Sequence, residues 1–161
     1  MLTSRATEVE VERLANVPVF GALSPDELAW VVELAEVWVF EADETVVSQG
    51  ALAQEMFVVL EGEVEVVGES EGRVGVLGRL ASGDCFGEMS LLDIQPRSAT
   101  VRSTGHTRLL VVGFDDLGRI QARSLQTYTL LLMNVGREVS RRLRVANRRL
   151  AELGYRSLHD A

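Results

Sequence analysis

The sequence contains no lysine, one cysteine, two histidines and no long apolar run. The single cysteine, Cys85, excludes an internal disulfide and fits a reducing compartment. Its simplest role is that of a small core residue. All 16 basic residues are arginine, which codon usage explains more simply than a chemical demand for guanidinium at every site. His106 and His159 lie far apart in the sequence without paired ligands, so the histidine cluster of a metal-dependent β-barrel enzyme is missing.

Membrane and export segments are also missing from the sequence. The longest apolar runs, such as 109–112 and 130–133, are far shorter than the roughly 20 residues that cross a bilayer. The amino terminus, MLTSRATEVEVE, is acidic and lacks the basic and apolar regions of an export signal. A Gly-x-Ser-x-Gly elbow and a catalytic Cys–His arrangement are absent as well. We therefore predict a soluble, cytoplasmic protein that binds a ligand without turning it over.

Length and charge indicate one acidic domain with a basic end. The 161 residues, of which 47% are hydrophobic, suffice for one domain with a core and appended helices. The net charge of -8 opposes nonspecific binding to nucleic acid. Residues 1–96 hold 4 arginines against 19 acidic residues, and residues 97–161 hold 12 against 5, so the two parts carry -15 and +7. The arginines of the second part most simply form a solvated helix face.

Residues 1–36 are predicted to form an N-terminal helical segment. Ser24 suits a helix cap, Pro25 suits the first helical position, and Glu27 stands three residues after the cap. This combination predicts a helix that lays one apolar face on the following structure. The apolar positions at helical spacing are Leu28, Val31, Val32 and Ala35.

Residues 37–114 show the pattern of a β-structure. Val64 and Val66 alternate with Glu63 and Glu65, so one side of this strand should face a core and the other side water. Many short strands separated by glycines and acidic turns are typical of an antiparallel jelly-roll, or β-roll, barrel. The fold class is therefore mainly β with flanking helices. The predicted strand runs are VWVF, TVVSQG, MFVVLEG, EVEVVG, RVGVLGRL, SATVRST and TRLLVVGF.

Residues 115–161 return to a helical pattern. Asp115 or Asp116 can cap a short helix, and a long helix is predicted from about Ser124 to Leu153. A continuous apolar seam runs along it at spacings of three and four. One small barrel cannot cover a seam of this length, so we expect the helix to pair with its copy in a homodimer; packing wholly on its own domain is the alternative. The apolar seam comprises Tyr128, Leu132, Val135, Val139, Leu143, Ala146, Leu150 and Leu153.

The stretch FGEMSLLDIQPRSATV, residues 86–101, carries the chemistry. Arg97 in a barrel wall needs an anion, and its planar fork suits two oxygens of a phosphate or carboxylate. Glu88 is an acceptor that can receive hydrogen bonds from sugar hydroxyls. Gly83 and Gly87 let the backbone approach a ligand. These parts fit a phosphorylated sugar; the alternative is that Glu88 and Arg97 merely form an ion pair that closes a loop.

FGEMSLL followed by PRSATV resembles the phosphate-binding cassette of cyclic nucleotide-binding domains. Such domains occur in catabolite-activator-type regulators and in the regulatory subunits of cyclic-nucleotide-dependent kinases. The resemblance extends over LANVPVFGALSPDELAWV, MFVVLEGEVEV, ASGDCFGE and FDDL, from about Leu14 to Leu150. It implies a single cyclic nucleotide-binding domain over 1–161, with a β-roll at 37–114 and the cassette at 86–101.

The resemblance also implies roles for the residues of the cassette. Arg97 would bind the exocyclic oxygens of the cyclic phosphate, and Glu88 would bind the ribose 2′-hydroxyl. Gly87 and Ser90 would lend backbone amides, and Ser98 would add a hydroxyl to the phosphate or the base. The remaining ligand-binding positions of the cassette are Met89 and Ala99.

The long helix departs from the family pattern. In RRLRVAN, Arg142 falls where catabolite-activator-type relatives have an arginine beside the cassette glutamate, but Ala146 and Asn147 replace the usual Thr-Ser pair. Asn147 either hydrogen-bonds a purine edge, from its own subunit or the partner's, or faces solvent. Ser98 is compatible with cyclic AMP and with cyclic GMP. We expect cyclic AMP as the ligand, and no metal or other cofactor.

The expected function is that of a cyclic nucleotide sensor. Ligand occupancy would shift the C-terminal helix between two positions, which an unidentified downstream protein reads. DNA-binding relatives continue into a helix-turn-helix module, whereas this chain stops at Ala161; with MLTSR as a native start, we expect a free-standing sensor. The alternatives are the effector domain of a truncated transcription regulator and a degenerate β-roll that serves protein contact, against which Glu88 and Arg97 argue.

Overall fold

The computed structural model of the protein describes residues 2–4, 8–93 and 95–159, with side chains from 10 to 93 and from 95 to 152. Its described helices are α1 (Glu8–Leu14), α2 (Pro25–Leu34), α3 (Glu88–Asp93), α4 (Phe114–Arg123) and α5 (Leu125–His159), with a 3-10 turn at Pro18–Phe20. Its described strands are β1 (Leu2–Ser4), β2 (Glu36–Phe40), β3 (Thr45–Val47), β4 (Glu55–Glu61), β5 (Glu63–Ser70), β6 (Arg73–Ala81), β7 (Cys85–Phe86), β8 (Thr100–Ser103) and β9 (Thr107–Gly113).

The strands form two antiparallel sheets. One sheet has the order β1-β2-β9-β4-β7 and the other has the order β3-β8-β5-β6. In the first sheet Val58 lies opposite Leu110, and in the second Val66 lies opposite Val101. Every run predicted as a strand overlaps one of these strands, which confirms the antiparallel jelly-roll with flanking helices. The short strands β1 and β7, with three and two residues, are too short to show a pattern in the sequence.

Two hydrophobic cores lie on opposite faces of the five-stranded sheet. Along β4, Phe57 and Val59 point into the core between the two sheets. Met56 and Val58 point into a second core between this sheet and the helices, the helix-side core. A strand buried on both faces is apolar at successive positions. This explains why MFVVL lacks the alternation of a half-exposed strand.

Glu65 on β5 corrects the prediction that the acidic side of this strand faces water. The residue is only 6% exposed, because it lies opposite Arg79 of β6 and Arg102 of β8. Oε2 of Glu65 accepts hydrogen bonds from Nε and Nη2 of Arg102 at 2.9 and 2.6 Å. The hydrogen bond from Arg102 holds the pKa of the Glu65 carboxyl below its usual range. Two arginines on neighbouring strands therefore cover this carboxylate. The alternation of residues along β5 alone could not predict this, because both arginines belong to other strands.

The start of α2 confirms the predicted helix cap. Ser24 Oγ accepts a hydrogen bond from the Glu27 backbone N–H at 3.3 Å, and Glu27 Oε2 accepts one from the Ser24 N–H at 2.8 Å. This reciprocal capping box satisfies two backbone donors that a helix end would otherwise leave free. The helix then buries Leu28 and Val31 against the helix-side core.

The start of α4 differs from the prediction. The helix begins at Phe114, with Gly113 as its cap residue, and Asp116 Oδ2 accepts a hydrogen bond from the Gly113 N–H at 2.9 Å. Asp116, the third residue of α4, therefore stabilises the start of the helix and does not act as its cap residue. Helix α5 begins where predicted, with Ser124 Oγ accepting from the Thr127 N–H at 3.2 Å. None of the described helices is both long and apolar enough to cross a membrane.

The apolar seam of α5 divides into a covered half and an uncovered half. Val135 is 4% exposed in the helix-side core, whereas Leu143 and Leu150 are 59% and 66% exposed. The side chain of Leu153 lies outside the described residues. Asn134 fixes the covered half, because its side-chain N–H group donates to the carbonyls of Val19 at 3.3 Å and Gly21 at 2.7 Å. The domain itself therefore covers only the first half of the seam.

Candidate ligand-binding site

Gly87 connects β7 to α3 in a conformation that favours glycine. Its φ is +77°, in the left-handed region that costs other residues energy. A Cβ atom at this position would lie 2.6 Å from Nη1 of Arg97 and 2.7 Å from the backbone oxygen of Glu55. Both the backbone angle and the close approach of Arg97 therefore require glycine here. Within the predicted cassette, Ile94 lies outside the described residues.

The backbone of Arg97 is fixed by the loop that follows β3. The Arg97 N–H donates to the carbonyl of Ala51 at 2.9 Å, and the Arg97 carbonyl accepts from the N–H of Gly50 at 2.8 Å. These two hydrogen bonds fix the Arg97 backbone against the loop at 48–51, shortly before the strand β8 begins. The side chain starts from this anchored position and points inward, with only 3% of its surface exposed.

The guanidinium of Arg97 is buried and only partly satisfied. Nη1 donates to the carbonyl of Gly87 and Nη2 donates to Oε2 of Glu55, each at 3.2 Å. The guanidinium carbon lies 5.7 Å from the centre of the Phe57 ring. Among the described residues, Nε has no hydrogen-bond partner, which is costly for a buried polar group. Burial lowers the pKa of Arg97, and attraction to Glu55 and then Glu88 opposes that shift.

Glu88 opens α3 and is buried beside Arg142 of the long helix. Its carboxylate is 5% exposed, and Oε1 accepts a hydrogen bond from Nη1 of Arg142 at 3.1 Å. Arg142 also donates from Nε to Oε1 of Glu138 at 2.9 Å, and its Nη2 contacts the carbonyl of Cys85. One arginine on α5 thus holds the first residue of α3, the strand β7 and an acidic residue of its own helix.

The structure brings together four of the nine predicted site residues: Gly87, Glu88, Arg97 and Arg142. Of the other cassette positions, Ser90 is buried at 5% exposure and Met89 is 49% exposed. Ser98 is exposed and Ala99 is half-buried. Asn147 lies five residues beyond Arg142 on α5 and is exposed, as is its neighbour Ala146. Both side chains therefore face solvent in this structure.

Two acidic residues of the site were not predicted. Glu138 stands four residues before Arg142 on one helix, a spacing at which opposite charges attract, so the sequence held a signal for it. The hydrogen bond and the charge of Arg141, together with those of Arg142, hold the pKa of the Glu138 carboxyl below its usual range. Glu55 gave no such signal, because 42 residues separate it from Arg97.

Cys85 is a core residue, as predicted. It is 3% exposed, and burial raises the pKa of its thiol to about 12. Because the thiolate is the reactive form, this side chain is inert at neutral pH. Among the residues that the structure describes, no group of three histidine, cysteine, aspartate or glutamate side chains is placed to hold a metal ion.

Comparison with known proteins places the chain in a family. Residues 37–124 match the family model described as cyclic nucleotide-binding domain. Over 112 residues the chain is 39% identical to a cAMP-dependent protein kinase regulatory subunit from Mycosarcoma maydis. The match covers 68% of this chain and 21% of that subunit, so the chain spans about a fifth of the relative's length.

Two crystal structures share the fold. The catabolite activator protein of Thermus thermophilus is 30% identical, with a TM-score of 0.75 over 85% of this chain and 63% of that chain. A cyclic nucleotide-binding domain from Methylobacillus flagellatus has a TM-score of 0.86 at 20% identity, over 93% of this chain and 87% of that chain. At that identity the second likeness speaks for the fold alone. Both agree with the two-sheet roll and flanking helices.

Proposed function

Because the chain belongs to the cyclic nucleotide-binding domain family, we propose that it is a sensor that binds a cyclic nucleotide at Arg97 and Glu88, with cyclic AMP preferred over cyclic GMP. The observation that carries this proposal is the guanidinium of Arg97, which is buried with no partner at Nε among the described residues. A cyclic phosphate offers two exocyclic oxygens and one negative charge, which suit a guanidinium fork. The name of the Mycosarcoma relative favours cyclic AMP.

The other cassette residues complete the proposed contacts. Glu88 accepts from the ribose 2′-hydroxyl, and the backbone amides of Gly87 and Ser90 face the sugar and phosphate. Ser98, exposed beside Arg97, adds its hydroxyl to the phosphate or base. Asn147 offers its amide to the purine edge, from its own subunit or from a second one. Residues 1–161 act as one ligand-binding unit in this proposal, with Met89 and Ala99 at its edge.

The proposed output is movement of α5. Arg142 joins this helix to Glu88 at 3.1 Å, so a ligand that engages the Glu88 carboxylate alters the contact that holds the helix. A ligand shifts a two-state element only by binding one state better than the other. The uncovered half of the apolar seam, with Leu143 and Leu150 exposed, serves homodimerisation and reading by a downstream protein.

Isothermal titration calorimetry tests the proposal. Cyclic AMP and cyclic GMP are titrated into the protein, with 5′-AMP as the matched ligand that has the base but no cyclic phosphate. We expect cyclic AMP to bind with a dissociation constant of about micromolar or tighter. We expect no detectable binding of 5′-AMP at the same concentrations. Arg97→Ala should abolish binding, whereas Arg102→Ala, an exposed arginine that pairs with Glu65, should not change it. If neither cyclic nucleotide binds at millimolar concentration, the sensor function is wrong and a non-binding interaction module replaces it.

A further inference from the structure

Glu55 contacts the buried Arg97 and also lines a groove that is open to solvent. Its Oε2 accepts a hydrogen bond from Nη2 of Arg97 at 3.2 Å, and its side chain is 37% exposed whereas that of Arg97 is 3% exposed. On its other side Glu55 lines an open groove of about 350 Å³ at the end of the five-stranded sheet, with Glu36, Trp38, Phe114, Asp116 and Arg119. The carboxylate therefore stands between the buried guanidinium and solvent.

The atom that Glu55 holds is the one that a two-point anion needs. A guanidinium offers two edges with paired N–H donors, one formed by Nε and Nη2 and the other by Nη1 and Nη2. Nη2 belongs to both edges. In Arg97, Nη1 already donates to the carbonyl of Gly87, and Nε has no partner among the described residues. Nη2 carries one N–H on each edge, so a phosphate that binds Arg97 through two oxygens lies next to the Glu55 carboxylate at Nη2, and the two anions repel each other.

The groove gives the carboxylate room to leave Arg97, but at a cost. Three other acidic side chains line the groove, namely Glu36, Asp115 and Asp116, against the single arginine Arg119 among its lining residues. Arg119 already pairs with Asp116 at 3.2 Å. A Glu55 carboxylate released from Arg97 thus enters a negatively charged environment, and this repulsion opposes its release.

We propose that Glu55 is an affinity-setting counterion of Arg97, which the phosphate of the ligand must displace into the groove. The inference rests on the proposed function, because it assumes that Arg97 receives the cyclic phosphate. It assigns to Glu55 a part that Glu88 does not have: Glu88 contacts Arg142 and is proposed to bind the sugar. Ligand affinity is then set by the difference between phosphate and carboxylate as partners of the same guanidinium.

The test is calorimetric titration of cyclic AMP into the wild-type protein, Glu55→Gln and Glu36→Gln. Glu55→Gln keeps the shape of the side chain and removes the competing charge, so affinity should rise by about tenfold, the size of one charge-assisted hydrogen bond. Glu36→Gln removes a charge from the same groove, where Glu36 accepts from Trp38 Nε1 at 2.8 Å. It should leave affinity within about twofold of wild type.

The outcomes separate this inference from the proposed function. Wild-type binding with unchanged or weaker affinity in Glu55→Gln overturns the counterion role, since Glu55 would then only position Arg97, and leaves the proposed function standing. An equal gain in Glu36→Gln also overturns it, because the effect would belong to the acidic groove as a whole. Absence of binding in the wild type and in Glu55→Gln overturns the proposed function and this inference with it.

Discussion

Arg142 of α5 donates a hydrogen bond from Nη1 to Oε1 of Glu88 at 3.1 Å, across 54 residues of sequence. Both groups are largely removed from water, with 28% of the arginine side chain and 5% of the glutamate side chain exposed. Breaking a buried ion pair by removing one partner leaves a desolvated charge behind. The contact therefore joins the long helix to the residue that opens α3 more firmly than a surface ion pair would.

Arg142→Gln should weaken cyclic AMP binding by about tenfold or more and lower hydrogen-exchange protection in the second half of α5, because Glu88 loses its charged partner. The matched control is Arg141→Gln. Arg141 also pairs with Glu138, at 2.6 Å, and is 59% exposed, but within the described side chains it does not contact Glu88. Equal effects of the two substitutions on affinity and exchange would contradict a specific link through Arg142.

Gly87→Ala should lower the melting temperature and weaken ligand binding. A β-carbon at Gly87 would lie 2.6 Å from Nη1 of Arg97, so the guanidinium has to shift. Gly50→Ala is the control, because Gly50 has a similar φ of +81° and nothing within 4 Å of the added atom. Both variants carry the left-handed penalty of about 1–2 kcal/mol. Gly87→Ala should lose about 1–3 kcal/mol more, as measured by urea unfolding, and equal losses would argue against the close approach.

Asn134→Ala should destabilise the protein by about 1–3 kcal/mol, because the carbonyls of Val19 and Gly21 lose their donor. Asn147→Ala lies on the same helix at an exposed position. Its free energy of unfolding should stay within about 0.5 kcal/mol of wild type. Urea denaturation of the three proteins tests this prediction. Because alanine has a higher helix propensity than asparagine, propensity alone would stabilise both variants, and a comparable loss in both would contradict a specific role of the buried Asn134 amide.

Glu138 should make stability depend on pH in the acidic range. The hydrogen bond and charge of Arg141, with Arg142, lower the pKa of this carboxyl in the folded state, relative to about 4.3 in an unfolded chain. The contribution of Glu138 to the free energy of unfolding is thus fully present above its pKa in the unfolded chain. It is lost as the pH falls through its lower pKa in the folded protein. Urea unfolding between pH 7 and pH 3 should show a smaller loss of stability for Glu138→Gln than for wild type. Glu152→Gln, an exposed acid on the same helix, should retain the wild-type slope.

Sedimentation velocity tests the proposed dimer. Leu143 and Leu150 are 59% and 66% exposed on the apolar seam, and a partner helix would bury them. We expect the wild type to sediment as a dimer at micromolar concentration and the double variant Leu143→Gln, Leu150→Gln to sediment as a monomer. Met133→Gln changes an apolar residue that is 49% exposed and lies off the seam, so it should remain dimeric. A monomeric wild type would contradict the prediction.

Local sequence signals accounted for most of the fold. The capping box of Ser24 and Glu27 depends on residues three apart, and the strand runs depend on a period of two, so a single sequence shows both. Predictions failed where a neighbour from elsewhere in the chain decides the outcome. Glu65 is covered by arginines of β6 and β8, and Asp116 supports a helix that begins at Phe114.

The sequence by itself determined the jelly-roll, the long helix and the family cassette with Gly87, Glu88 and Arg97, because each follows from short-range pattern or a contiguous motif. Only the tertiary structure decided that Glu55 pairs with Arg97 and that Arg142, expected beside Glu88 from the family resemblance, also contacts Cys85. These contacts join residues from different elements, and their partners depend on how the sheets and helices pack. The carboxylate that the buried Arg97 meets is a property of that packing, which no local period in the chain encodes.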